Sequence, residues 1–556
     1  MSWVPPRRTE RRTRVVAAPA PMKRTEGEYR VSIWLTYTRQ LPLMTLRNAA
    51  VPTDVTLRWL GRPNRGEPAE LAQALAAISE HYTITLGPRR VRTASYLDTA
   101  DWRLRRRGLV LTHEGASGPG SLVLAPHTVK LTEPPVWPAR AEALPDGELR
   151  DAVANAMWVR AIAPKVRSRT VTREIMLHDG DGEEVGRIEW AEATAVHPVR
   201  VAPLPRVTVS PAPGRRRDRK EIVRLLLATG EFERLDSTAY DDLLHACGLP
   251  EEKPHTEIAP GMPADVAIAT ALLGFAGELA ANVDGTIDDI DPEYLHELRV
   301  AVRRTRSVLK IAGDVLPGEL AARYRERFKE LGDLTTPSRD LDVYLIEFAT
   351  LTAGLTVGTP TDLAPFEAHL RRHRADARKA LVRGLRAPRF ARALDSWRAT
   401  LQGVAESGRS AMTVDELATE RLRRLTKRVR REATAITPAS SAEQVHDLRK
   451  RCKELRYALE VFQPVCDPAV HRGVLKDLKR LQDVLGAFQD GEVQSHSLRV
   501  YAQEMLDAGR PPAATVLAMG ELLATYVRQE TQARHDLTAA VHDFVARSGR
   551  FSSLVR

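Results

Sequence analysis

Aromatic residues are scarce in this chain: Phe, Trp and Tyr make up 5% of its 556 residues. A surface that holds single-stranded nucleic acid by stacking bases on aromatic rings is therefore poorly supplied. Cysteine is rarer still. Cys247, Cys452 and Cys466 are odd in number and include no Cys-x-x-Cys pair. That argues against a disulfide framework or a thiolate zinc site, and for free thiols in a cytoplasmic setting. Cys452 adjoins Lys453, so it is either a structural thiol or one whose pKa the lysine lowers. The longest apolar run, Val266 to Gly277, is flanked by Asp265 and Glu278. It is too short to span a bilayer and is expected to be a buried helix, so no membrane span is expected. No secretory signal is expected either, because Arg7, Arg8, Arg11, Arg12 and Arg14 are followed by proline and alanine rather than an apolar stretch. Residues 1–50 are expected to form a disordered basic extension, with a polybasic anion-binding tail as the alternative.

What the chain has in quantity is positive charge. Lys and Arg number 83 against 72 Asp and Glu, for a net charge of +11. An anionic partner follows from that balance: polyphosphate, nucleic acid or acidic lipid. The length predicts two to four domains. From 51 to 248 the pattern is mainly strand-like, with alternation at Val55, Leu57 and Trp59 and again at Val207 and Val209. Helices are expected over 70–80, 147–159 and 219–229. Residues 249–263, rich in proline, are expected to form a linker. Beyond 263 helices are predicted at 264–283, 292–315, 319–334, 338–354, 363–386, 388–404, 411–435, 442–464, 468–487, 490–508 and 512–546. Pro292, Pro317, Pro337, Pro388, Pro438, Pro464 and Pro511 each fall near a predicted boundary. Ser441 with Gln444 forms a capping box that opens one of these helices.

One cationic pattern occurs twice in this helical half, 150 positions apart. His296 is followed by Arg299, Arg303 and Arg306; His446 is followed by Arg449, Lys453 and Arg456. The basic positions fall at +3, +7 and +10 from each histidine, nearly the same azimuth on a helix. Lys329, Asp333 and Asp340 match Lys479, Asp483 and Asp490 at the same offset. This predicts duplication of a helical unit, with two basic faces turned towards each other around a long polyanion. Arginine suits such a ligand because its planar fork donates paired hydrogen bonds to phosphate oxygens at any relevant pH. Histidine would add a group that charges near pH 6–7. The four aspartates are expected to orient the basic side chains. They make no carboxylate cluster of close helical spacing, and no metal or cofactor is expected. Arg299 and Arg449 are expected on solvent-facing stripes, so reversing both charges should leave the fold intact.

The paired His-x-x-Arg-x-x-x-(Arg/Lys)-x-x-Arg pattern, with Leu309 or Leu459 following, resembles the CHAD family, the conserved histidine α-helical domain. The likeness covers roughly 264–548. It implies a helical bundle of internal twofold symmetry, with halves of about 264–405 and 411–548. It also implies binding of inorganic polyphosphate by a basic central surface. Carried over by position, the binding residues are His296, Arg299, Arg303, Arg306, His446, Arg449, Lys453 and Arg456, joined by Lys329 and Lys479. Where the first copy has Arg304, the second has Glu454.

The stretch Tyr96-Leu97-Asp98-Thr99-Ala100-Asp101-Trp102-Arg103-Leu104, with Arg107-Gly108-Leu109-Val110-Leu111 after it, resembles the CYTH family of triphosphate tunnel metalloenzymes. That likeness implies a closed β-barrel tunnel over 51–248. The family's opening Glu-x-Glu-x-Lys strand is best matched by Asp54-Val55-Thr56-Leu57-Arg58, Thr112 and Glu114 stand where arginines would be, and Arg206-Val207-Thr208 replaces a later acidic strand. A divalent ion would find too few carboxylates there to drive phosphoanhydride hydrolysis. The barrel is expected to be catalytically silent, with vestigial anion-binding residues Arg58, Arg105, Arg107, Lys130, Arg167 and Arg169.

The expected chain is thus α+β: an N-terminal β-barrel followed by an all-α helical bundle that binds polyphosphate without catalysis, at cytoplasmic polyphosphate granules. One alternative is a metal-dependent inorganic triphosphatase in the barrel. The other is nucleic-acid binding by the basic helices, disfavoured by the absence of a recognisable helix-turn-helix or zinc module.

Overall fold

The computed structural model describes residues 54–61, 75–115, 118–249, 258–313, 315–509, 511–549 and 554. The basic extension at 1–50, residues 70–74 of the expected 70–80 helix and most of the linker lie outside the described residues.

The N-terminal part is one antiparallel sheet. Its strands are β1 (Val55–Trp59), β2 (Thr83–Thr99), β3 (Leu111–Glu114), β4 (Ser121–Leu124), β5 (His127–Lys130), β6 (Ile162–His178), β7 (Glu184–His197), β8 (Leu204–Pro211) and β9 (Phe232–Arg234). They lie in the order β5-β4-β3-β2-β6-β7-β8-β1-β9. The long β2–β6 pair forms the spine, running from Thr83↔His178 to Thr99↔Ile162. Four short helices accompany the sheet: α1 (Ala76–Ser79), α2 (Glu148–Met157), α3 (Arg216–Ala228) and α4 (Ala239–Ala246).

The sheet is not the closed barrel that the sequence suggested: its outer strands β5 and β9 are not hydrogen-bonded to each other. Helices, rather than further strand pairing, bury its apolar surface. Leu149, Val153 and Met157 of α2 pack with Leu97, Leu111 and Leu122. Ile222, Val223 and Leu226 of α3 cover Leu57, Ile188, Val207 and Val209. On the opposite face Tyr240, Leu243 and Leu244 of α4 pack with Val166, Ala193 and Ala195. With each face satisfied locally, nothing drives the sheet to curl around a tunnel.

The rest is helical: α5 (Ala264–Ile287), α6 (Pro292–Ala312), α7 (Gly318–Ala353), α8 (Ala364–Leu385), α9 (Pro388–Ser407), α10 (Val414–Thr434), α11 (Ala442–Val461), α12 (Pro468–Gly509) and α13 (Ala513–Arg547). The expected run Val266–Gly277 extends to the 24 residues of α5, which by length and composition alone could cross a membrane. Ala267, Ile268, Ala271, Leu272, Ala276 and Leu279 of this helix are nevertheless buried in the largest apolar cluster of the protein.

Two predicted breaks are absent. α7 runs through Pro337, although proline removes a backbone donor and crowds the preceding turn. The freed carbonyl is that of Asp333, and the turn before it carries extra side-chain bonds: Thr335 Oγ1 donates to Leu331 O at 3.0 Å, Thr336 Oγ1 to Gly332 O at 2.7 Å, and Arg299 Nη1 to Gly332 O at 3.3 Å. α12 passes through 487–490 without interruption. Gly491 is there for close packing: a Cβ on it would lie 2.9 Å from Glu530 Cβ and 3.0 Å from Tyr526 O of α13.

Two apolar clusters organise these helices. The larger includes Leu298, Leu309, Trp397, Leu448, Leu459 and Phe488. The second includes Leu341, Tyr344, Phe366, Leu498 and Tyr526. Along α7 and α12 the segments between them carry polar residues: Thr335, Thr336, Arg339 and Asp340 on one, Gln489, Asp490 and Gln494 on the other. The two parts of the chain meet where α6 begins. Asp291, its N-cap, accepts from Glu293 N at 2.9 Å and Tyr294 N at 3.3 Å, and also from Ala161 N at 3.0 Å and Arg160 Nη1 at 3.2 Å. Arg103 pairs with Glu293 at 2.9 Å.

Candidate polyanion site

Both basic helices start as their sequences demand. Asp291 caps α6 with Pro292 at the first position. Ser441 and Gln444 form the expected capping box on α11. With the starts set, Leu295, Leu298, Val302 and Leu309 of α6, and Val445, Leu448, Leu455 and Leu459 of α11, are buried in the same core. The cationic stripes then lie beside the line where the helices meet.

A cleft of about 420 Å³ opens between α6 and α11, lined by Arg303, Arg306 and Lys310 from one and by His446, Arg449, Lys450, Arg451, Lys453 and Tyr457 from the other. Arg325 of α7 closes one side. Eight arginines and lysines in this lining face one carboxylate, Glu454. The guanidinium groups of Arg303 and Arg456 lie 6.0 and 5.3 Å from the ring centre of Tyr457, which gives them a cation–π surface.

The charges in and behind the cleft are electrostatically costly. Burial, together with the neighbouring Arg449 and Arg303, drives the Lys453 ammonium well below its usual range. Burial, aided by Arg299 and Arg456, lowers Arg303 to about 10. His296 is pushed down to about 2 by burial and by Arg339, Arg303 and Arg299. It is therefore neutral at physiological pH, contrary to a histidine charging near pH 6–7: an imidazolium would be one more cation among several. His446 is also lowered, chiefly by burial, and its Nδ1 contacts Gln489 Oε1. Acids in the polar layer shift the other way. Burial raises Asp340 to about 7 against Arg299 and Arg339, and raises Glu347 to about 7 with help from Asp490.

These shifts predict a pH profile. His296 binds no proton in the folded chain until about pH 2, while its unfolded value is 6.5. Its contribution to stability is therefore complete above 6.5 and lost as the pH falls. Asp340 and Glu347 hold a proton up to about 7 when folded, against 3.8 and 4.5 unfolded. Their contribution is complete below about 4 and lost as the pH rises to 7. Between pH 4.5 and 6.5 the two effects oppose each other. His296→Gln should leave the acids unopposed, so the variant gains stability as the pH falls from 6.5 to 5, by up to about 1.4 kcal/mol per pH unit for each proton. Urea unfolding at several pH values checks this; a variant that tracks wild type would contradict it.

The predicted stripes are less exposed than expected. Arg449 is 3% exposed and its Nη2 lies 3.4 Å from Asp490 Oδ1. Arg299 Nη1 donates to Thr335 Oγ1 at 3.0 Å and Thr336 Oγ1 at 2.8 Å. Both turn inward because α7 and α12 cross directly over them, so charge reversal at this pair would damage the fold. Lys329 pairs with Glu326 at 3.3 Å, and Lys479 acts on Asp483; neither lines the cleft. Lys310, Arg325, Lys450 and Tyr457 do line it and were missed. Lys310 lies four turns beyond His296 on the same stripe, a signal that the sequence carried.

In the sheet, the residues expected to be vestigial anion ligands do not converge. Arg58 Nη2 lies 3.2 Å from Asp242, Arg105 Nε lies 2.7 Å from Asp241, and Arg206 pairs with Asp242, so α4 supplies their counter-charge. Arg107 donates to Asn155 O at 2.5 Å. Lys130 stands exposed on edge strand β5, and Arg167 and Arg169 stand exposed on β6. Burial raises the Cys452 thiol well above its ordinary value and Cys466 to about 11, so both are inert structural thiols.

Residues 270–499 match the family described as CHAD domain. Among solved structures, the crystal structure of the CHAD domain from the plant Ricinus communis is similar at 25% identity and TM-score 0.45, covering 53% of this chain and 96% of that one. PptA from Streptomyces chartreusis is similar at 17% identity and TM-score 0.40, covering 50% of this chain and 99% of that one. An uncharacterized protein of Mycobacterium tuberculosis strain H37Rv, Rv2226, is 27% identical over 217 residues, 37% of this chain. Its counterpart MT2285 in strain CDC 1551 is 26% identical over the same length. The chain spans 40% of the length of these curated relatives. By its family match and its paired basic helices, residues 270–499 of this chain are a CHAD domain.

Proposed function

We propose that the helical domain binds inorganic polyphosphate in the cleft between α6 and α11, without catalysis. The observation that carries this reading is the concentration of cations there: eight basic side chains and one acidic one, Glu454, line the cleft, with Arg303 depressed by burial, Arg299 and Arg456, and Lys453 by burial, Arg449 and Arg303. Such an arrangement is unfavourable for an empty cleft and is relieved by an anion. Polyphosphate offers a line of charged oxygens and no base edges, which matches a lining of forked guanidinium groups and flexible ammonium groups.

The domain is also taken to consist of two related halves about this cleft. The starts of α5 and α10, α6 and α11, and α7 and α12 are each separated by 150 positions. The first pair is joined reciprocally: Ala264 N donates to Met412 O at 2.9 Å, and Val414 N to Met262 O at 2.8 Å. The sheet domain serves as a scaffold in this reading, because Asp241 and Asp242 occupy arginines that would otherwise face a triphosphate.

Titration of the full chain with long-chain polyphosphate at two salt concentrations tests the proposal. Affinity is expected to fall steeply with salt, by analogy with DNA, where the log–log slope is about −0.9 per phosphate contacted. Tripolyphosphate and duplex DNA at equal phosphate concentration should compete poorly. Displacement by DNA would favour the nucleic-acid alternative, and no binding at low salt would sink the proposal.

A further inference from the structure

Away from the basic cleft, α8 and α12 bring together two imidazoles and a carboxylate. His369 and His373 lie one helical turn apart on α8 and therefore share a face. Glu504 on α12 reaches both: its Oε2 is 3.2 Å from His369 Nε2 and 3.6 Å from His373 Nε2. The three ligand atoms all lie within 4.8 Å of one another. A tetrahedral ion with bonds of about 2.0–2.1 Å spaces its ligand atoms by roughly 3.3 Å, so small side-chain adjustments would close this group around one metal.

We propose that His369, His373 and Glu504 form a binding site for a borderline divalent cation of the Zn²⁺ type. Two imidazoles and one carboxylate favour such an ion over Mg²⁺ or Ca²⁺, which prefer all-oxygen shells. Three protein ligands leave a fourth position for water or an anionic oxygen.

The surrounding structure holds these groups in place. His369 is buried between Phe366 and Leu370 on α8, which pack in the same apolar cluster as Leu498 and Met505 of α12. The ring of Tyr501 meets both imidazoles edge-on, at 5.8 and 5.9 Å between centroids. The side chains of His373 and Glu504 remain 41% and 43% exposed, which provides an entry path. A buried histidine needs only one carboxylate for a hydrogen bond; the second imidazole turned to the same oxygen is what a metal would use.

The test is a Co²⁺ titration of the chelator-treated full chain, followed by visible d–d absorption, and then displacement by Zn²⁺. No polyanion is present, so the outcome is independent of the polyphosphate reading. Wild type should give a tetrahedral-type spectrum saturating near one ion per chain. His373→Asn and Glu504→Gln should each lower the affinity by at least the roughly 10–100-fold that loss of a supporting partner costs. Both side chains are part-exposed, and circular dichroism verifies that the variants fold. Failure of wild type to develop the band, a band that both variants retain at unchanged affinity, or displacement by Mg²⁺ as readily as by Zn²⁺ would each overturn the proposal.

Discussion

Reversing two charges at the rim of the cleft, Arg306→Glu with Lys450→Glu, is expected to weaken long-chain polyphosphate binding by at least about 100-fold with the fold preserved. Both residues line the cleft, one from each basic helix. A charge-assisted hydrogen bond contributes about 1.5–3 kcal/mol, and each 1.4 kcal/mol is about tenfold in affinity. Two lost contacts therefore reach 100-fold before the new repulsion is counted. The cost to the fold is small at Lys450. Lys450 pairs with Asp447 at 3.3 Å where both side chains are half exposed, and such surface pairs are worth about 0–1 kcal/mol. The salt slope should flatten by about two, by analogy with DNA. Calorimetric titration, with thermal unfolding as control, measures both. Full affinity in a folded double variant would mean that the cleft is not the site.

Removing Arg449 is expected to act on the fold as strongly as on the ligand. Its guanidinium is buried and lies 3.4 Å from Asp490, joining α11 to α12 beneath the cleft. Arg449→Met leaves a largely enclosed carboxylate without this partner, and breaking a buried pair from one side costs about 3–5 kcal/mol. Asp490 also raises Glu347 by its charge, so the whole polar layer is affected. Replacing both partners, Arg449→Met with Asp490→Leu, should restore most of the stability. Urea unfolding of the single and double variants gives the coupling directly. A single variant within about 1 kcal/mol of wild type would show that the pair does not hold the two helices together.

The basic helices were legible because two periodicities agreed. The +3, +7, +10 cationic offsets and the interleaved Leu298, Val302 and Leu309 each specify one face of α6, and α11 repeats them. Exposure was misjudged for Arg299 and Arg449 because a stripe pattern states which residues share a face, not what crosses over that face. The break at Pro337 failed for a similar reason. Proline's local penalty is about 3 kcal/mol, and α7 is buried on both sides of it, through Tyr324 and Phe328 in one apolar cluster and Tyr344 and Phe348 in the other, a packing no local rule contains. The sheet shows the same limit. Its strands followed from alternation, but closure depends on whether the edge strands meet, and the packing of α2, α3 and α4 left them apart.

By itself, the sequence determined the division into a sheet part and a helical part, the two basic helices with the capping box that opens the second, and the excess of positive charge. These are local properties, set by periodicity, capping and composition within a few turns of chain. Only the tertiary structure decided which cations converge on the cleft and which face carboxylates, that His296 is neutral, that the sheet stays open, and that His369, His373 and Glu504 meet. Each of these depends on burial and on neighbours that only the fold brings close, because Coulomb interactions and desolvation act through space and not along the chain.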